Sequence, residues 1–159
     1  MADKKNVFIS HVHEDDALLP KLKDLISRAG MEVRDGSIHS EKPNQATSED
    51  YIKQGILAPR IQWASTLVVL INHDTAESQW VNWEIEHAVA QGKTVVGVYA
   101  QGATAADIPE ALAKCGDAAI VGWQGDRVVD AINGKIQAWD DPATGEPRDR
   151  QWVLKRHNC

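Results

Sequence analysis

The segment from Ser78 to Ile85 contains the carboxylate that is best placed to take part in chemistry. On a helix, Glu84 shares a face with Trp80, four residues earlier, and with His87, three residues later. A carboxylate beside an indole can be partly desolvated and held in one orientation, and it can then stabilise positive charge in a transition state. Periodicity alone, however, favours a surface glutamate that interacts with the helix dipole near an N-terminus.

Four further side chains are candidates for substrate binding. Ser10 and His11 follow a short apolar segment, and they would either contact a substrate or form the hydrogen bonds of a helix N-cap or loop. Asp35 either contacts a ribose or caps the loop that follows it, and the cap is the alternative that we favour. Trp80 either shapes the pocket around Glu84 or packs in the core.

Short apolar segments alternate with helical patterns along the chain, and these elements must position the candidate residues. Apolar runs predict five strands, and leucine, isoleucine and valine at helical spacing predict the helices between them. The predicted strands are 7–9, 31–34, 66–71, 94–99 and 118–121. The predicted helices are 18–29, a segment around 52–57, 79–91, 108–115 and 126–138. Pro59 ends the second of them unless it restarts through Ile61. The helix over 79–91 is expected to be capped by Ser78, to end at Gly92, and to turn Val81, Ile85, Ala88 and Val89 inward.

This alternation predicts the α/β class, with a flavodoxin-like five-stranded parallel sheet of order 2-1-3-4-5 and helices on both faces. In such sheets, ligands bind beyond the carboxyl ends of the strands, here between strands one and three. We expect one domain over residues 1–138 and a C-terminal extension over residues 139–159. Within the extension, 140–150 is expected to be irregular, and 151–159 is either an extra strand or a loose tail.

Composition excludes several classes of protein. The chain has 159 residues, 43% of them hydrophobic and 25% charged, which is typical of one globular domain. Its net charge of −6 argues against a general nucleic-acid binder, which needs a basic face. The longest apolar run, 67–71, is too short to cross a membrane, and no secretory signal is visible. With two cysteines and no disulfide pattern, we expect a cytoplasmic protein.

Two further patterns in the sequence are similar to other kinds of site. The spacing His11-x-His13-x-Asp15 is similar to a metal-ligand motif, but the other ligands of such a site are missing, so we expect no metal. Acidic residues 14–16 and Asp74 would suit a phosphorelay receiver, but no lysine follows Val121 to hold the phosphoryl oxygens.

Several segments taken together are similar to one known family. They are Val7-Phe-Ile-Ser-His11 with the acidic residues 14–16, Val33-Arg-Asp35, the run 65–71, and the spacing Ser78-x-Trp80-x-x-x-Glu84. In this order they resemble the Toll/interleukin-1 receptor (TIR) domain family, and most closely its prokaryotic branch that includes the Thoeris anti-phage proteins. The resemblance covers about residues 5–138.

The resemblance implies cleavage of NAD+ at the nicotinamide–ribose bond, with Glu84 as the catalytic residue and NAD+ as substrate rather than cofactor. The product would be ADP-ribose, a cyclic form or a conjugate that activates a separate effector. TIR domains also imply self-association, in which loop 36–47 would form a subunit contact or a lid. Two alternatives stay open: a TIR scaffold without turnover, and a nucleoside deoxyribosyltransferase, which has a similar sheet and a helical glutamate.

Overall fold

A parallel sheet forms the centre of the molecule. The computed structural model describes residues 3–35, 58–114, 118–135, 139–140 and 147–148. Within these residues, seven strands pair in the order β2-β1-β3-β4-β5-β6-β7, all parallel except for the antiparallel pair β6–β7. The strands are β1 (Asp3–Ser10), β2 (Met31–Asp35), β3 (Thr66–Ile71), β4 (Thr94–Tyr99), β5 (Ala119–Val121), β6 (Trp139–Asp140) and β7 (Pro147–Arg148).

Five helices cover this sheet within the described residues. They are α1 (Leu19–Arg28), α2 (Ala58–Trp63), α3 (Gln79–Ala90), α4 (Glu110–Ala113) and α5 (Gly125–Ile132). Short 3-10 turns precede three of them, at His13–Leu18, Thr75–Glu77 and Ala105–Asp107. Pro59 lies in the first turn of α2, where backbone N–H groups have no acceptor within the helix, so the missing N–H of proline costs no hydrogen bond. Ile61 of the same helix is buried. The helix that restarts through Ile61 is thus observed, whereas 52–57 lies outside the described residues.

The predicted α/β class and the strand order 2-1-3-4-5 are confirmed. The strand over 66–71 is observed with the predicted bounds, and all six of its residues are buried, as in a parallel strand that is covered on both faces. The expectation of an irregular 140–150 segment is wrong at 147–148, because β6 pairs with β5 and β7 pairs with β6. Strands of two residues make backbone hydrogen bonds but are too short to show the two-residue period in the sequence.

Side chains alternate between the two faces of the sheet and form two separate cores. One core, on what we call the α3 face, contains Phe8, Val69 and Ile71 from the strands, together with Val81 and Ile85 from α3. The opposite core, on the α1 face, is built from the other strand residues and from α1 and α5. Its members include Val7, Ile9, Leu22, Val98 and Val128.

Glycines in the left-handed conformation end the helices. At the end of α5, Gly134 has a φ of 78° and its N–H donates to the Ala131 carbonyl, while the Lys135 N–H donates to the Asp130 carbonyl. This Schellman arrangement ends the helix at Ile132, so the prediction that it continues to residue 138 is wrong. Gly92, with a φ of 72°, ends α3 as predicted.

Two predicted elements differ in detail from the structure. Val89 was expected in the core stripe of α3 but is 45% exposed, because it lies one residue beyond the buried Ala88 and turns away from the sheet. The helix predicted over 108–115 is shorter and spans Glu110–Ala113. No helix among the described residues is long and apolar enough to cross a bilayer.

Candidate functional site

A serine and a glutamate from distant parts of the chain form a buried hydrogen-bonded pair. Ser10 is the last residue of β1, and because it lies two residues after Phe8 its side chain points to the α3 face. Its hydroxyl donates to Oε1 of Glu84 on α3 at 2.6 Å. Ser10 is fully buried and Glu84 is 6% exposed. The distance is that of a strong, charge-assisted hydrogen bond when the carboxyl group is ionised.

Glu84 is buried because it lies on the same side of α3 as the helix residues that pack in the core. The buried residues of this helix are Val81, Glu84, Ile85 and Ala88, so Glu84 lies within the buried face rather than beside it. The helix is fixed at its start by Ser78, whose hydroxyl accepts a hydrogen bond from the Val81 N–H at 3.2 Å, as the sequence predicted. The alternative of a surface glutamate is therefore excluded by the structure.

The environment of Glu84 changes its acidity. Burial raises the pKa of Glu84 from 4.5 to about 8, and the hydrogen bond from Ser10 offsets part of this rise. With that pKa, only about a tenth of the carboxyl groups are ionised at pH 7 in the unliganded protein. A positive charge placed close to the carboxyl group would lower its pKa and favour the carboxylate.

His11 is oriented by the backbone directly beside this pair. Its Nδ1 lies 3.0 Å from the carbonyl oxygen of Ile9, and the side chain is partly buried. Since a carbonyl oxygen only accepts hydrogen bonds, Nδ1 is the donor in this contact. The ring is thus held by its own strand at the carboxyl end of β1, where a substrate was expected.

Asp35 and Trp80 lie at two other borders of the predicted site. Asp35 is the last residue of β2, and its Cα pairs with Val7, three residues before Ser10. That register places the Cα of Asp35 about 10 Å along the strand direction from the end of β1. The side chain of Asp35 lies outside what the structure describes. Trp80 lies in the first turn of α3 and is 36% exposed, so it is not a core residue.

Asn82 is the residue of this region whose role the sequence analysis missed. Its Nδ2 donates to the carbonyls of Ser78, at 2.9 Å, and Ala76, at 3.3 Å. Its Oδ1 accepts from the N–H of Ala111 at 3.0 Å, which joins the start of α3 to α4. The only signal for this role was an amide side chain in the first turn of a helix, where free backbone groups need partners.

The residues weighed for metal binding and phosphorelay have other partners. Nδ2 of Asn72 donates to Oδ1 of the buried Asp15 at 2.9 Å, which joins the segments after β1 and β3. Asp74 is exposed and begins a 3-10 turn. Among the residues that the structure describes, no three metal-ligating side chains cluster together, although the side chain of His13 is outside that set.

Comparisons with known proteins place this arrangement in a family. Residues 8–105 match the family described as Thoeris protein ThsB, TIR-like domain. Among solved structures, the chain is similar to the CMP N-glycosidase BcmB of Clostridium botulinum, with 16% identity and a TM-score of 0.46. That likeness covers 77% of this chain and 92% of the other. No curated protein sequence matches the chain.

Proposed function

The chain belongs to the Thoeris ThsB TIR-like domain family, and from this membership and its buried Ser10–Glu84 pair we propose that it cleaves NAD+ at the nicotinamide–ribose bond. The observation that carries the proposal is the buried carboxyl group of Glu84 at the carboxyl end of β1. NAD+ is the substrate in this proposal, and the protein uses no resident cofactor.

The proposed reaction requires one carboxylate and no proton donor. Nicotinamide is bonded to the ribose as a pyridinium cation and leaves as a neutral molecule, so its departure needs no general acid. The positive charge moves to the ribose, which becomes an oxocarbenium ion, as in glycoside cleavage. The ionised carboxyl group of Glu84 stabilises this cation, and the hydroxyl of Ser10 fixes the orientation of the carboxyl group.

Burial supports this role in two ways. Electrostatic stabilisation of a cation is stronger where water is excluded, and Glu84 is 6% exposed. In addition, the pKa of about 8 means that burial of this carboxyl group costs free energy of folding at neutral pH. Ionisable groups that are kept at such a cost are concentrated at functional sites, and a pure scaffold has no need of one. The pyridinium charge of bound NAD+ would lower the pKa and generate the carboxylate.

The remaining candidate residues take roles in substrate binding. Ser10 and His11 are proposed to contact the substrate at the end of β1. Trp80, which is one turn before Glu84 on α3 and partly exposed, offers an indole face to the substrate. Asp35 is proposed to bind a ribose hydroxyl from the end of β2.

The biological proposal follows from the family. We place the reaction in anti-phage defence in the cytoplasm, where an ADP-ribose-derived product, cyclic or conjugated, activates a separate effector protein. Self-association through contacts between TIR domains is proposed to complete the NAD+ site. The product depends on the nucleophile that attacks the ribosyl cation. Water gives ADP-ribose, a nucleophile within the same molecule gives a cyclic form, and a second molecule gives a conjugate.

A substrate panel tests the proposal against its alternatives. The full chain is incubated, at concentrations that produce self-association, with NAD+ or with a set of deoxynucleosides, and products are identified by mass spectrometry. Free nicotinamide from NAD+ supports the proposal. Exchange of bases between deoxynucleosides, with NAD+ left intact, would instead identify a deoxyribosyltransferase. No turnover of either substrate by the assembled protein would favour the scaffold.

A further inference from the structure

A cavity lies on the α1 face of the sheet, the opposite face from Glu84. It has a volume of about 240 Å³ and opens beyond the carboxyl ends of β3, β4 and β5. Its lining residues are Leu18, Lys21, Asn72, Ala100, Gln101 and Trp123. Leu18, Ala100 and Trp123 belong to or pack against the core of the α1 face, whereas α3 packs on the other core. The cavity is therefore built on the opposite core from the one that α3 covers, and neither Ser10 nor Glu84 is among its lining residues.

The polar wall of the cavity is fixed in orientation before any ligand binds. Asn72 donates one Nδ2–H to the buried carboxyl group of Asp15, which identifies the nitrogen side of the amide because a carboxylate only accepts. The donated hydrogen bond also increases the negative partial charge on Oδ1 of Asn72. The amide of Asn72, a lining residue of the cavity, is thus held in one orientation, and its Oδ1 is the atom that suits the amino or amide N–H of a ligand.

The other walls favour a flat ring and an anion. Trp123 is half-buried and packs against the core, so its indole is a rigid surface on which a planar heteroaromatic ring stacks. Lys21 lies on the exposed side of α1 and brings a positive charge to the mouth of the cavity. Gln101, also at the mouth, adds a second amide. The volume admits one ring system but not a whole dinucleotide.

We propose that this cavity binds a small anionic heteroaromatic compound, with its ring on Trp123, a ring amino or amide N–H on Asn72, and its anionic group at Lys21. Nucleoside monophosphates and pyridine carboxylates share this chemistry. The site is distinct from the one proposed for NAD+ cleavage, and it does not depend on that reaction.

Calorimetric titration of the full chain with AMP, adenosine and nicotinic acid tests the site and distinguishes the two sources. Each titration is carried out on the wild type and on the Glu84→Gln variant. Binding heats that agree between the two proteins exclude a contribution from turnover. Binding of AMP with weaker binding of nicotinic acid identifies a nucleotide, and the reverse order identifies a pyridine carboxylate. In both cases Trp123→Ala is expected to weaken binding at least about fivefold, since a base stacked on an aromatic side chain gains that much or more.

Lys21→Gln provides a variant that does not disturb the core. It is expected to weaken AMP binding by up to about fivefold, as for a single exposed ion pair, and to leave adenosine binding unchanged. Lys135→Gln, an exposed lysine on the turn after α5, removes the same charge and should have no effect on either ligand. Failure of all three probes to bind at millimolar concentration would overturn the inference. So would binding that survives both Trp123→Ala and Lys21→Gln, and neither result would bear on the Glu84 reaction.

Discussion

Glu84 is the residue on which the account depends, and its burial has a thermodynamic consequence that needs no substrate. The unfolded chain has an ordinary glutamate pKa of 4.5, whereas in the folded protein the pKa is about 8. The folded state therefore binds more protons than the unfolded state between these two values. The stabilising effect of the bound proton is fully present below pH 4.5 and is lost as the pH rises through 8.

Glu84→Gln is expected to stabilise the protein at neutral and alkaline pH. The glutamine is nearly isosteric and carries no charge, so the variant should gain roughly 3 kcal/mol relative to the wild type between pH 4.5 and pH 7. Urea unfolding of both proteins across this pH range measures the difference between their free energies of unfolding. Other titrating groups are the same in both proteins, so their contributions cancel in this difference. A difference that does not change with pH would contradict the pKa of about 8.

Ser10→Ala tests the hydrogen bond to Glu84. Loss of the donated bond should move the pKa of Glu84 above 8, because that bond is the interaction that lowers it. Since kcat/KM reports the free protein, its rise with pH should shift to higher pH in the variant. The same shift should be visible by NMR titration of the Glu84 carboxyl carbon, which does not require turnover.

Ser65→Ala is the matched control for Ser10→Ala. Ser65 also carries a hydroxyl beside β1, but it donates to the carbonyl of Asn6 and has no contact with Glu84. Its removal should leave the pH dependence unchanged. Equal shifts in the two variants, or no shift in Ser10→Ala, would contradict the pairing of Ser10 with Glu84.

At the scale of elements, the position of Glu84 depends on how the start of α3 is held. Ser78 caps the first turn, and Asn82 ties this turn to the preceding segment and to α4. The hydroxyl of Ser78 and Oδ1 of Asn82 each accept a bond from a backbone N–H in the first turn of a helix, which has no partner within that helix. Asn82 does not lie on the buried face with Glu84, so it positions the helix rather than the substrate.

Asn82→Ala is expected to lower the free energy of unfolding by about 1–3 kcal/mol, because the backbone N–H of the buried Ala111 loses its acceptor. If Asn82 positions α3, NAD+ turnover at a temperature where the variant stays folded should also fall, mainly through kcat. Stability is measured by urea unfolding and turnover by nicotinamide release. An unchanged free energy of unfolding would show that these hydrogen bonds contribute nothing to the fold.

The sequence was sufficient to predict the elements that carry strong local signals. The continuous apolar run of β3, the Ser78 cap and the glycine that ends α3 each leave a distinct pattern, and all three are observed as predicted. The 126–138 helix was extended too far because apolar Ile136 continues the pattern, whereas the Schellman turn at Gly134 depends on backbone hydrogen bonds. β6 and β7 depend on pairing between distant segments, which a two-residue pattern does not encode.

The candidate site was predicted only in part, for a similar reason. The spacing of Trp80 and Glu84 identified a helix face, but not that Glu84 itself is among the buried residues of α3 while Trp80 stays partly exposed. The Ser10–Glu84 hydrogen bond joins residues 74 positions apart, so it follows from topology rather than from local sequence. Loop 36–47, expected to form a subunit contact or a lid, lies outside the residues that the structure describes.

At the scale of the whole molecule, the two proposed sites are built on opposite cores and differ in chemistry. The α3 face holds the buried carboxyl group of Glu84, and the α1 face holds the cavity beside Lys21 and Trp123. The chain carries a net charge of −6, which does not attract an anionic dinucleotide from a distance. In the proposed reaction, binding of NAD+ would therefore depend on local contacts, and the proposed self-association would supply those that one chain lacks.

The measurement that most directly tests this account is the rate of nicotinamide release from NAD+ by the assembled full chain at pH 8. It is compared with the rates of two variants of α3: Glu84→Gln, and Glu86→Gln, in which an exposed glutamate loses the same charge. The account predicts release by the wild type and by Glu86→Gln, and a rate at least about a hundredfold lower for Glu84→Gln, the scale of losing one stabilising group at a charged transition state. Equal release by Glu84→Gln and the wild type would contradict it.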